Sequence, residues 1–161
     1  MNKVRSLIDQ FALLPHPEGG YYARSYCSQT MIDVPGFAGP RPFSTAICFL
    51  LEKGNFSAFH RIKSDECWHF YEGQALLIHI IDPSGKYSTI RLGAGPGACY
   101  QYVVPAGCWF ASEPATESDY AFVGCTVSPG FDFADFEMAV SEELTVQYPA
   151  QQELIRRLCR L

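Results

Sequence analysis

The sequence contains no run of lysine or arginine, and its formal net charge is −5. A nucleic-acid partner is therefore not expected, because nothing on the chain would neutralise a phosphate backbone. No apolar stretch reaches the roughly 20 residues that a membrane-crossing helix needs. Residues 1–14 are interrupted by Lys3, Arg5 and Asp9, a pattern that fits neither a secretory leader nor a membrane span. No CxxC pair occurs among the seven cysteines, Cys27, Cys48, Cys67, Cys99, Cys108, Cys125 and Cys159. Their odd number and their place inside apolar runs such as 45–51 read as reduced thiols in a cytoplasmic protein, not as disulfides or a zinc site. Residues 93–97 are glycine-rich, but no helix follows and no Gly-Lys-Ser/Thr ending closes them, so they form a turn and not a phosphate loop. No repeat, linker or low-complexity tract divides the chain, and one domain over residues 1–161 is expected.

What is abundant is apolar and aromatic. Hydrophobic residues make up 48% and charged ones only 18%, with twelve Phe and nine Tyr. Flat rings pack well on a pleated surface and favour strands. A helix is expected only over 2–13, where Val4, Leu7, Ile8, Phe11 and Leu14 recur at three- and four-residue steps before Pro15 and Pro17, and again over 151–161, where Leu154, Ile155 and Leu158 share a face. Between them, short apolar segments alternate with Gly, Pro and Asp. Strands are expected at 21–28, 44–51, 57–62, 67–71, 75–81, 87–91, 100–104, 108–112, 120–127 and 133–139, with turns at 82–85, 93–97 and 128–130. Many short strands at this spacing predict a sandwich or barrel.

The segment from Gly54 to Gly73 carries the most chemical information. Gly54, His60, Glu66 and Gly73 fall in the register of the first cupin motif (glycine, five residues, His-x-His, three residues, Glu, six residues, glycine), with Ile62 in place of the second histidine. Pro105-Ala-Gly107-Cys-Trp-Phe110 resembles the second cupin motif, with Phe110 where a ligand histidine would stand. Taken with the segments 14–22, 103–111 and 123–137, the chain resembles, over roughly residues 8–140, the cupin 5 group, a branch of the cupin superfamily catalogued as a domain of unknown function. The resemblance implies an all-β fold, a double-stranded β-helix or jelly-roll-like barrel with short N- and C-terminal helices. It also implies pairing as homodimers, and a likeness in shape to sugar-nucleotide epimerases and seed-storage barrels.

A catalytic metal needs three or four protein ligands and an open position. With apolar residues at 62 and 110, no tight cofactor is expected; a weakly held divalent metal on His60 and Glu66, with His69 recruited, is the alternative. His60 and Glu66 are the expected catalytic pair, a histidine beside a carboxylate being able to serve as a general base. Alternation puts Glu66, Trp68 and Phe70 on one strand face and His69 on the other unless a bulge re-aims it. Tyr22, Arg24, Ser57, His69, Gln101 and Trp109 are expected to contact a ligand, and an inward Arg24 would suit an anion. His79 reads as a core histidine with one hydrogen bond. The turn His16-Pro-Glu18-Gly-Gly either carries a carboxylate to the barrel mouth or simply bends the chain. Three functions fit: an epimerase- or isomerase-like enzyme on a sugar or nucleotide-linked metabolite, a ligand-binding or sensor protein without turnover, and a metal-dependent enzyme with a degenerate site.

Overall fold

The computed structural model describes residues 2–161. Helix α1 (Lys3–Phe11) begins where the Asn2 side chain accepts from the Val4 amide, and it ends at Ala12, whose φ of 50° is left-handed. Leu7 is buried, with Val4 and Ile8 packed beside it. Thirteen strands then appear among the described residues: β1 (Leu14–Pro15), β2 (Tyr21–Cys27), β3 (Met31–Ile32), β4 (Arg41–Pro42), β5 (Thr45–Glu52), β6 (Ser57–Arg61), β7 (Asp65–Gly73), β8 (Leu76–Ile81), β9 (Tyr87–Leu92), β10 (Gln101–Val104), β11 (Trp109–Pro114), β12 (Tyr120–Ser128) and β13 (Glu137–Met138). Helices α2 (Ser141–Gln147) and α3 (Gln152–Arg157) close the chain. No helix among the described residues is long and apolar enough to cross a membrane.

Two sheets face each other. One has the order β1-β2-β5-β12-β7-β10 and the other β13-β6-β11-β8-β9, with β3-β4 as a separate hairpin. All paired strands are antiparallel. Phe49, Trp68, Ile78, Ile80, Phe110 and Val123 point between the sheets and form the inner core. The alternate residues point out. Phe59, Ile81, Trp109 and Ala111 meet Leu144 of α2, Ile155 of α3, and Tyr148 and Leu158, which cap the two helices, while Leu50 and Phe122 lie under α1. Each large apolar side chain buried this way contributes roughly 1.5–3 kcal/mol before the entropy of ordering it.

Five segments differ from expectation. The strand expected at 133–139 is a 3-10 turn, Phe133–Asp135, followed by the two-residue β13. Asp132 accepts from the Ala134 amide at 2.8 Å, a local bond that competes with a ladder. Arg41 then holds Asp135 through two buried hydrogen bonds of 2.7 and 3.0 Å. Helix α2 was not expected, nor were the two-residue strands β1, β3 and β4, which are too short to leave a periodic signal.

Candidate functional site

The site is built on an irregularity in β6. Phe110 of β11 pairs with His60, but Ser112 pairs with Ser57. One residue of β11, Ala111, thus opposes two of β6, Ala58 and Phe59, so Ser57 and His60 both face inward despite their odd separation. The irregular stretch also docks the 16–20 turn: the Ala58 amide donates to the Glu18 carbonyl at 2.7 Å. Gly19, at φ +110°, lies so close that a Cβ there would sit 2.0 Å from the Phe56 carbonyl oxygen, which is why the turn needs glycine. Arg160, near the end of the chain, donates to the carbonyls of Glu18 and Phe56 at 3.0 and 2.8 Å and stacks on the Phe56 ring.

This docking brings Glu18 into the barrel beside His60. His60 Nε2 lies 3.1 Å from Glu18 Oε2, and His60 Nδ1 lies 2.7 Å from the Ala58 carbonyl oxygen. A carbonyl can only accept, so Nδ1 carries the proton and donates. That leaves Nε2 facing the Glu18 carboxyl oxygen. His16 Nδ1 accepts from the Glu18 amide at 3.2 Å, and its ring packs edge-on against Tyr22 at 4.5 Å between centroids.

Burial dominates the electrostatics. It lowers the pKa of His60 below its ordinary value, with Glu66 and the Ala58 carbonyl opposing. It lowers that of His16 too, against the pull of Glu18. It raises that of Glu18, against His16 and Ser57, although Ser57 Oγ approaches without reaching hydrogen-bond geometry. Glu66 is pushed up to about 7, chiefly by burial and further by Glu18, while His60 and the Cys125 thiol pull it down. The Cys125 thiol is itself held well above its ordinary value by burial and by Glu66. All these groups but Ser57 line one cavity of ≈ 40 Å³, walled by Tyr22, Thr45, Ile47, Ile62, Val127, Phe131 and Phe136. A larger cleft of ≈ 680 Å³ lies outside the barrel beside Glu113 and Arg157, away from this cluster.

The structure thus brings His60, Glu66, Tyr22 and Ser57 to the interior, but pairs His60 with Glu18 and not with Glu66. Four of the expected ligand contacts lie outside the inner chamber. His69 is on the outer face of β7, where Gln101 Nε2 donates to its Nδ1 at 3.1 Å and its Nε2 donates to Thr126 Oγ1 at 3.0 Å. Gln101 is exposed beside it. No bulge re-aims either side chain. Trp109 faces α2 and α3 under the Arg61 guanidinium, 4.5 Å from the ring, because its neighbour Phe110 takes the inward position. Arg24 is exposed at the barrel mouth, not in the interior. His79 makes two hydrogen bonds, to Tyr87 and Glu113, where one was expected. Sequence reasoning did not single out Thr45, Cys125, Phe131 or Phe136. The Gly-Gly pair after Glu18 was the available signal for the carboxylate, compatible with a plain bend until the docking is seen.

A metal does not fit the donors present. The two remaining cupin ligand positions hold Ile62 and Phe110, both buried in the inner core, and the Phe110 ring centroid is 4.1 Å from that of His60. His60 Nδ1 is committed to the Ala58 carbonyl, and Nε2 faces Glu18. Among the described residues no group of three or more His, Cys, Asp or Glu side chains is placed to hold a metal ion.

Two facing antiparallel sheets with helices outside and a His/Glu set within define a cupin-type β-barrel. The profile described as Cupin superfamily (DUF985), Cupin_5, matches residues 5–139, and the chain belongs to this family. It is similar to protein SO0799 from Shewanella oneidensis, at 40% identity and a TM-score of 0.88 over 96% of each chain. A hypothetical protein from Leishmania major is 33% identical, with a TM-score of 0.91 over 98% of each chain. The uncharacterized protein YML079W of Saccharomyces cerevisiae is 29% identical over 160 residues, 88% of this chain and 78% of that protein. Oxalate decarboxylase of Bacillus subtilis shares the fold alone, at 16% identity and a TM-score of 0.55 over 89% of this chain and 36% of that one.

Proposed function

We propose that this barrel, with residues 1–161 acting as one domain, binds a small polar metabolite and moves a proton on it, as an epimerase- or isomerase-like enzyme. The carrying observation is the approach of His60 Nε2 to the Glu18 carboxyl group, 3.1 Å apart inside the barrel. Glu66, with its pKa near 7, faces the same cavity. General acid–base catalysis works best with groups poised near the working pH. As a carboxylate, Glu66 takes a proton from the substrate, and the His60–Glu18 pair delivers its own to the neighbouring atom. No electron leaves the substrate, so the chemistry is isomerisation. A cavity of ≈ 40 Å³ favours a small reacting fragment over a whole nucleotide-linked sugar.

The test is deuterium wash-in from heavy water into a panel of small hydroxy acids, keto acids and short sugars, followed by NMR. Exchange that disappears in both His60→Gln and Glu66→Gln supports proton transfer. Binding by thermal shift with no exchange in any compound would favour the second reading, a ligand-binding protein without turnover, which the small closed cavity also suits. We further propose a homodimer in the cytoplasm. Tyr71 and Val103 stand exposed on the outer face of the six-stranded sheet, and all seven cysteines are unpaired, as suits a reducing compartment. Light scattering that returns the mass of one 18.0 kDa chain would overturn the dimer.

A further inference from the structure

A second cavity of ≈ 420 Å³ opens in front of the acid–base chamber, lined by Ala12, Leu14, Tyr22, Ala23, Arg24, Thr45, Ile47, Phe131 and Phe133. Tyr22, Thr45, Ile47 and Phe131 also wall the inner cavity, so the two spaces are separated by one layer of side chains. We infer that this vestibule is the binding site for a small organic monocarboxylate with a short apolar body, its carboxylate on Arg24 and its far end toward Glu66 and His60. The inference rests in part on the proton-transfer reading, of which it names the substrate class.

Four observations carry it. The volume falls in the range of small-molecule pockets, whereas the inner cavity does not. The walls are apolar, and two of them stay exposed, Leu14 at 66% and Phe133 at 50%, so an apolar body would remove them from water. Arg24 is the one charged side chain in the lining. Arg41, Arg61, Arg91 and Arg157 each face a carboxylate, of Asp135, Glu137, Glu117 and Glu113 respectively; Arg24 faces none among the described residues. A single guanidinium matches a monoanion, while a phosphate dianion would call for further cations that the lining lacks. Finally, Thr45 Oγ1 already accepts from the Phe131 amide at 2.9 Å, which leaves its hydroxyl proton to donate into the space. Tyr22 and Arg24 alternate on one face of β2, roughly 7 Å apart, so a carboxylate at Arg24 places the opposite end of a short acid against the chamber wall.

The experiment titrates the full-length protein with phenylacetate and with neutral phenylacetamide, by amide chemical-shift mapping, in the native chain and in Arg24→Gln. Arg24 is exposed and unpartnered, so its replacement should fold. Phenylacetate is expected to shift resonances of residues 22–24, 45–47 and 131–133, to bind about tenfold more tightly than the amide, and to lose that advantage in Arg24→Gln, as the loss of one charge-assisted hydrogen bond predicts. Equal binding of acid and amide, or an Arg24→Gln variant as tight as the native chain, overturns the inference. So do shifts at these residues that follow protein concentration and not the acid, which would make the vestibule a face between copies. The two proposals fail separately: acid binding that persists in Glu66→Gln with no deuterium exchange in any compound would leave the vestibule and sink the enzyme, whereas exchange confined to neutral compounds would do the reverse.

Discussion

Two histidine–glutamate pairs lie on opposite faces of the five-stranded sheet. Inside, His60 Nε2 meets Glu18 at 3.1 Å; outside, His79 Nε2 meets Glu113 at 2.9 Å. Both histidines are buried and both are held below the ordinary pKa by burial. Distance and burial therefore do not separate them, but their proton inventories do. In the outer pair every group has a fixed role. Glu113 also receives Arg157, at 2.8 Å in one of its bonds. Burial pushes Glu113 up, but Arg157 and His79 outweigh it and hold it below the ordinary range as a carboxylate. His79 Nε2–H donates to it, and His79 Nδ1 accepts from the Tyr87 hydroxyl at 2.8 Å, whose oxygen in turn lies against Thr89. That chain ties β8, β9 and β11 to α3 and has no proton to give away. In the inner pair no lysine or arginine among the described residues lines the cavity to hold Glu18 as a carboxylate, and Glu66 beside it has its pKa near 7.

The comparison is tested hardest at Glu66. The folded chain keeps the Glu66 proton up to about 7, against an ordinary value of 4.5. Between those values the folded state binds more protons than the unfolded one, so this group makes stability fall as the pH rises. Glu66→Gln should abolish the fall and be more stable than the native chain at alkaline pH by on the order of 3 kcal/mol. Urea unfolding across the pH range measures it; parallel curves for the two proteins would refute the poised carboxyl. At Glu113 the sign is opposite. Its folded pKa is depressed, so its contribution is present above the ordinary value and is lost as the pH falls through the folded one.

Glu113→Ala should cost about 2 kcal/mol near neutrality, mainly because His79 is left with a buried donor and no acceptor. The half-exposed Arg157 adds little. Amide exchange should quicken across α3; unchanged exchange there would mean that the outer chain is not a clamp. Glu18→Gln is the milder change, expected within about 1 kcal/mol, since the glutamine amide can donate to His60 Nε2. Nitrogen-15 NMR should then show His60 as a neutral ring protonated only at Nδ1, whereas a proton passed from Glu18 in the native chain is expected to mark Nε2 as well. An identical His60 spectrum in both would refute proton transfer within the pair. The smallest effect concerns metal. EDTA should leave the melting midpoint unmoved, whereas a metal at a hundredfold over its Kd would contribute roughly 2.7 kcal/mol and a shift of a few degrees.

Much of the inner face was legible from alternation alone. Phe110 inward requires Trp109 outward, and Glu66 with Trp68 inward requires His69 outward, because successive side chains on a strand point to opposite faces. The spacing of Gly54, His60, Glu66 and Gly73 placed His60 and Glu66 on the barrel wall. Alternation also set Arg24 on the face of Tyr22, but it does not say where along that face the barrel ends, and Arg24 lies beyond the mouth. Ser57 reached the interior only through the uneven pairing of β6 with β11, which depends on two strands far apart in sequence.

By itself, the sequence determined a many-stranded sandwich or barrel, a helix near each end and most of the strand residues that turn inward, because hydrophobic period and turn chemistry are local properties of the chain; the choice of a barrel came with the resemblance to cupins. Tertiary structure alone decided that Glu18, and not Glu66, lies against His60 Nε2. That pairing needs the Ala58 amide on the Glu18 carbonyl, Gly19 against Phe56 and Arg160 over both. Three distant segments converge there, and no local pattern encodes the distance between two side chains brought together by the closing of a barrel.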